Sequence, residues 1–86
     1  MKWTKEAEES FAELLQAIPS LMRGLAEGPM KDKAEEYAQE AGAHQVERAH
    51  AVAGFVIATP YPMRKHLKKA LDKAGIPNEE YSKWVK

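Results

Sequence analysis

The chain has 86 residues, enough for one domain around one small core, and 30% of them are charged, thirteen basic against thirteen acidic. That balance excludes the strongly basic profile of a dedicated nucleic-acid binder, and the absence of cysteine excludes disulfides and thiolate metal or redox sites. No apolar run reaches the roughly 18 residues of a membrane span; the longest, Ala49 to Pro60, contains His50, and the charged, amphipathic start lacks a signal-peptide core, so a cytoplasmic protein is expected.

Thr4 has the hydroxyl of a helix N-cap, and Glu6, Glu8 and Glu9 follow where the helix dipole favours negative charge. Trp3, Ala7, Phe11, Leu14, Leu15 and Ile18 step by three or four, which predicts a first helix over 4–18, ended by Pro19. Pro19 can also open the next helix. Leu21, Met22, Leu25 and Ala26 give that helix a short apolar face before Gly28-Pro29 interrupts it, as a break or a kink. The pattern resumes with Met30, Ala34, Tyr37, Ala38 and Ala41, and Gly42 is the expected C-terminal cap.

A third helix is predicted over Gln45–Ala58. Its second half, Ala51 to Ala58, is apolar nearly all round, the mark of a central buried helix. Gly54 inside it disfavours helix by about 1 kcal/mol relative to alanine, and a close helix crossing would give it a packing reason. Thr59-Pro60-Tyr61-Pro62 is a turn, and a fourth helix over 62–74 presents Met63, Leu67, Ala70, Leu71 and Ala74 before a Gly75 cap. Asn78 can cap a last short helix through Trp84. No run of alternating β-branched residues points to a sheet. The expected fold is therefore all-α, a compact bundle of four to five short helices in a single domain over 1–86.

Charge is divided along the sequence. Residues 1–43 hold five Lys/Arg and nine Asp/Glu, while residues 44–86 hold eight and four. Opposite halves attract within a folded monomer or across a dimer interface. The strongest local signal is the basic face of the fourth helix: Arg64, Lys65, Lys68, Lys69 and Lys73 opposite Met63, Leu67 and Leu71. Such a face can meet phosphates, acidic lipid or an acidic partner. The plainer reading is a wet helix face held against the acidic first half. No glycine-rich phosphate cradle accompanies it.

Other candidate chemistry is thin. His44 and His50 are six apart, about 120° from overlap on a helix, and His66 adds no second pair at ligand spacing, so surface or helix-end histidines are expected rather than a metal site. Glu35, Glu36 and Glu40 lie on one helix, where such groups usually form a solvated acidic face. Catalysis would need a pocket that separates their pKa values. No cofactor is called for. Arg23 sits between Met22 and Leu25; it either points outward or finds a carboxylate or carbonyl partner. Met22, Met30, Phe55, Tyr61 and Met63 are either core packing or the lining of a site for an apolar, tetrapyrrole-like ligand.

Read together, Trp3-Thr4-Lys5-Glu6-Ala7-Glu8, then Ile18-Pro19 with Met22-Arg23-Gly24, then Ala34-Glu35-Glu36-Tyr37-Ala38 and Gly42 form an ordered pattern. It resembles the small helical domain at the C-terminus of the B subunit of light-independent (dark-operative) protochlorophyllide reductase, which also occurs in short stand-alone proteins. The resemblance covers 1–58; about four extra residues, roughly one helical turn, stand near Gly28-Pro29. Residues 59–86, a basic helical extension, lie outside it. The resemblance implies structural or docking roles for Trp3, Pro19, Arg23, Glu35 and Tyr37. It implies a non-catalytic accessory domain with a protein partner or self-association, not reductase chemistry, which belongs to larger parts of that enzyme. Fold analogy alone carries function only by association.

Overall fold

A computed structural model describes residues 1–59, 61–77 and 79. Four α-helices are found among them: α1 (Lys5–Gln16), α2 (Ser20–Glu40), α3 (Arg48–Ala58) and α4 (Leu67–Lys73). The fold is all-α. The predicted helix from Asn78 to Trp84 lies outside the described residues.

Thr4 caps α1 as its sequence position predicts, its hydroxyl accepting the Ala7 amide at 3.1 Å. Ala7, Phe11, Leu14 and Leu15 turn inward at helical spacing. The helix stops at Gln16, two residues earlier than its apolar pattern extends, and Ile18 is buried from the turn that follows. Pro19 holds the cap position of α2 with φ −52°.

The second helix differs from expectation. Instead of two pieces around Gly28-Pro29, α2 is one helix of 21 residues with Pro29 inside it. Proline supplies no amide for the Leu25 carbonyl and crowds it. The residue before a proline is pushed out of the helical region partly by its own Cβ; Gly28 has none, which eases the passage. The buried side of α2 is Ala26, Met30, Ala34 and Ala38 at a strict four-residue step, and the small Ala34 lets α3 approach closely at Gly54.

The helix ends at a glycine in the left-handed region, Gly42 with φ 75°, and the Ala43 amide reaches back to the Ala38 carbonyl. Gln45–Val46 then forms a strand, where helix is expected from the sequence. It pairs in parallel with Lys2–Trp3, Lys2 opposite Gln45 and Trp3 opposite Val46, and the Thr4 amide donates to the Val46 carbonyl at 3.0 Å. Two residues per strand are too few to leave an alternating pattern in sequence. The pair fastens the start of the sequence to the α2–α3 connection.

The α3 helix is central: it packs along both α1 and α2, which touch each other little. Every residue from His50 to Val56 is buried. Gly54 lies against α2, and a Cβ built on it would stand 2.6 Å from the Ala34 Cβ, the Ala34 nitrogen and the Met30 oxygen. A close crossing therefore gives that glycine its packing reason.

The predicted fourth helix over 62–74 is divided into a 3₁₀ segment, Tyr61–His66, and α4. Pro62 brings no amide donor, and the tighter winding forms where the first α-helical bonds are weakest. Met63, Leu67, Ala70 and Leu71 enter the core from it. Gly75, with φ 76°, closes α4, and Ile76 folds back into the core with its amide on the Leu71 carbonyl.

Candidate interaction surface

Among the described residues, the two most exposed large apolar side chains lie on the first half of α2. Leu21 is 91% exposed and Leu25 79%, with Met22 at 37% beside them. Only Ala26 of the predicted apolar face Leu21, Met22, Leu25 and Ala26 is buried. The rotation of α2 explains this: with Ala26, Met30, Ala34 and Ala38 facing α3, residues 21 and 25 point to solvent. Gly24 and Gly28 flank them on the same side, and a Cβ on either would meet nothing within 4 Å. A stripe of two large and two minimal residues therefore stands open on the surface.

Arg23 ties the start of α2 to the end of α1. Its Nε donates to the Leu15 carbonyl at 3.0 Å, and its Nη2 donates to Ile18 at 3.0 Å and Gln16 at 3.4 Å. These carbonyls lie at and just after the end of α1, where Leu15 also accepts the Ile18 amide at 3.0 Å, so the guanidinium of one helix adds donors at the C-terminus of another. The outward reading of Arg23 is replaced by the carbonyl-bound one.

The other positions of the family-like pattern also sit at junctions. The Trp3 indole Nε1 donates to Glu35 Oε2 at 3.0 Å, and its ring meets Phe11 edge-on with centroids 5.2 Å apart. One residue thus joins the first strand, α1 and α2. Tyr37 stands 5.9 Å from the His50 ring, between α2 and α3. His50 Nδ1 accepts the Glu47 amide at 3.0 Å, and the Glu47 carboxylate accepts in return from the third amide of α3. His50 is therefore a buried half of a reciprocal helix cap, whereas His44 and His66 are exposed. No group of three His, Asp or Glu residues converges on a point among the described residues.

Between α1 and α2 an open cleft of about 410 Å³ is lined by Trp3, Phe11, Leu15, Glu8, Glu27, Lys31 and Glu35. Within the bundle, Met30, Phe55 and Met63 are buried as core packing. The space beside Phe55 and Met63 is only about 20 Å³, room for about one water molecule. It has no room for a tetrapyrrole.

The basic face is narrower than its sequence. Lys65, Lys68, Lys69 and Lys73 are exposed, but Arg64 turns inward and donates from Nη2 to the Val56 carbonyl at 3.5 Å, at the end of α3. The ion pairs among the described residues are Lys31–Glu27 at 3.8 Å and Lys33–Glu36 at 3.3 Å, both along α2. None joins the basic helix to the acidic half.

These features define a small helical domain with an open apolar helix face and polar caps at its helix junctions. A family model matches residues 1–85, and the chain belongs to that family, described as a protein of unknown function (DUF2621). No curated protein and no solved structure matches it. The matched span includes the basic extension as well as the first 58 residues. None of the described helices is long and apolar enough to cross a membrane.

Proposed function

We propose that this protein is a non-catalytic accessory domain that works by docking protein on the outer face of α2, in the manner implied by its resemblance to the domain appended to the B subunit of light-independent protochlorophyllide reductase. The observation that carries the reading is the exposure of Leu21 and Leu25, at 91% and 79%. Single exposed apolar residues are ordinary, but these two are one helical turn apart and beside Met22, which makes a patch. Covering each leucine is worth about 1.5–3 kcal/mol, so a partner gains from this face what the isolated fold leaves unused. The bonds of Arg23 to the end of α1 support the same reading, because they tie the start of α2 to the bundle with its leucines facing outward.

Affinity capture from the native source tests it. The wild-type protein is expected to retain a stoichiometric partner, retained also at high salt because the contact is apolar. The double substitution Leu21→Ser and Leu25→Ser is expected to lose it. A clean monomer with no partner at any salt overturns the proposal. Loss on replacing Lys65, Lys68 and Lys69 by Gln, with the leucine variant still binding, would move the docking surface to the basic helix.

A further inference from the structure

The open cleft of about 410 Å³ between α1 and α2 has walls of two kinds. Phe11 and Leu15 are buried and form an apolar floor, with the half-buried Trp3 ring beside them. That ring is held from two sides, by the bond from its indole to Glu35 and by its edge-on contact with Phe11. The charged groups on the walls are the carboxylates of Glu8, Glu27 and Glu35 and the ammonium of Lys31. Three acids against one base leave the cleft net negative. Lys31 reaches Glu27 at 3.8 Å with both side chains about half exposed. Glu8 makes no ion pair among the described residues.

This mixture selects one chemistry. An anion would be repelled, and a neutral apolar ligand would strip water from carboxylates without replacing it. A bare metal ion needs ligands that converge, and no three His, Asp or Glu residues do so among the described residues. Glu27 and Glu35 are eight residues apart, about 12 Å along α2. A cation at the end of an alkyl stem suits such spacing. The stem lies on the apolar floor, and the head meets a carboxylate and the Trp3 ring, which attracts cations to its face.

We propose that the α1–α2 cleft receives an arginine or lysine side chain of a partner protein. This rests on the reading of α2 as a docking helix and names the chemistry of what docks. The cleft is open on one side, so a side chain enters while its backbone stays at the surface. Its position fits the same partner. Gly28, which flanks the leucines, stands three and seven residues before Lys31 and Glu35, so the rim of the cleft adjoins the Leu21–Leu25 stripe. A segment with apolar groups and a basic residue beside them engages both. Lys31 is then a resident competitor for the carboxylates, a role that gives its removal a definite sign.

Titration of the whole protein with the capped peptide acetyl-Gly-Arg-Gly-amide, followed by proton–nitrogen NMR, tests this. The Trp3 indole resonance, told from that of Trp84 with Trp84→Phe, is expected to move saturably at millimolar peptide. The uncharged citrulline peptide leaves it in place, and salt weakens the effect. Glu8→Gln weakens binding about fivefold, the loss of one screened charge pair, and Lys31→Gln tightens it by a similar factor. Glu9→Gln makes the same change of charge one residue away, outside the cleft, and leaves binding unchanged. No saturable shift, equal binding of citrulline, equal losses from Glu8→Gln and Glu9→Gln, or weaker binding by Lys31→Gln each overturns the proposal. Spermidine binding more tightly than the peptide makes the ligand a free polyamine and overturns the partner assignment. The Leu21→Ser, Leu25→Ser variant keeps peptide binding. If the peptide fails to bind while that variant loses a captured partner, the docking face stands and the cation site falls.

Discussion

Replacing Gly54 by alanine inverts the usual effect of that change. Glycine to alanine inside a helix ordinarily stabilises by about 1 kcal/mol. At Gly54 the new methyl would sit 2.6 Å from the Ala34 Cβ, the Ala34 nitrogen and the Met30 oxygen. Relaxed carbon contacts are about 3.5–4.0 Å, so α2 and α3 must separate by about 1 Å at their crossing. Two of the three neighbours are backbone, which no rotamer change can move. Overpacking of this kind costs about 1–3 kcal/mol, and separation also loosens the contacts of Ala34, Met30 and Phe55. After the helix gain of about 1 kcal/mol is offset, the net loss is up to about 2 kcal/mol, a fall in Tm of up to about 16 °C for a domain this size. Gly24→Ala is the internal control. The same chemistry in open space should raise Tm by about 4–8 °C. Thermal unfolding of both variants by circular dichroism reads the two signs. A Gly54→Ala protein stabilised as much as Gly24→Ala refutes the close crossing.

Arg23→Ala should cost about 2 kcal/mol, since charge-assisted bonds to three carbonyls are lost from a partly solvated site. Arg23→Lys should recover only part of it, because one ammonium cannot span all three; equal stability of Lys and Arg in urea unfolding counts against the capping role. Trp3→Phe removes the indole donor to Glu35 and keeps the ring on Phe11, for a loss of about 1 kcal/mol. In that background Glu35→Gln should add nothing further, and additive losses in the double-mutant cycle would show the pair to be uncoupled. Pro29→Ala restores the amide facing the Leu25 carbonyl and should stabilise by up to about 3 kcal/mol; a lower Tm would mean that the proline is needed for packing. Amide hydrogen exchange should divide α2, with residues 23–28 opening locally and 34–38 protected close to the global limit. Uniform protection along the helix would contradict the weak internal anchoring of its first half.

Where the sequence was informative, the cause of structure was local. The Thr4 cap depends on a hydroxyl beside the first free amides, and Gly42 and Gly75 on a backbone conformation that glycine adopts at little cost. The all-apolar run from Ala51 to Ala58 announced a buried helix, and Gly54 within it announced a close neighbour. The failures share another cause, which is contact between distant residues. Continuity of α2 through Pro29 is sustained by α3 packed on Met30, Ala34 and Ala38, which local propensity does not record. The strand at Gln45–Val46 exists because Lys2–Trp3 lies beside it. Arg23 found its carbonyls only once α1 had ended against the base of α2. The Leu21–Leu25 stripe was visible as apolar spacing, yet its exposure followed from which side of α2 the alanines claimed. Trp3, Arg23, Glu35 and Tyr37 stand at contacts between elements, which no local spacing in the sequence records.

The two halves of α2 are held by different means, and this ties the docking face to the stability of the whole domain. From Met30 onward the helix rests on α3 through buried small residues. Before Met30 it contains Gly24, Gly28 and Pro29's missing amide; its cap residue Pro19 offers no polar group to the first amides, and its first turn carries no acid to favour the dipole. What keeps this half in place is Ala26 and the Arg23 guanidinium, and Arg23 at the same time closes the end of α1. Anything that settles on Leu21 and Leu25 therefore orders the weakest stretch of helix and, through Arg23, the α1 terminus. A ligand that binds only the folded state raises stability by mass action. In a protein of 86 residues with no disulfide, that increment is a large share of the total. The exposed leucines are thus a deficit in the isolated monomer that is offset when the face is covered, and occupancy of α2 and integrity of the fold should rise and fall together.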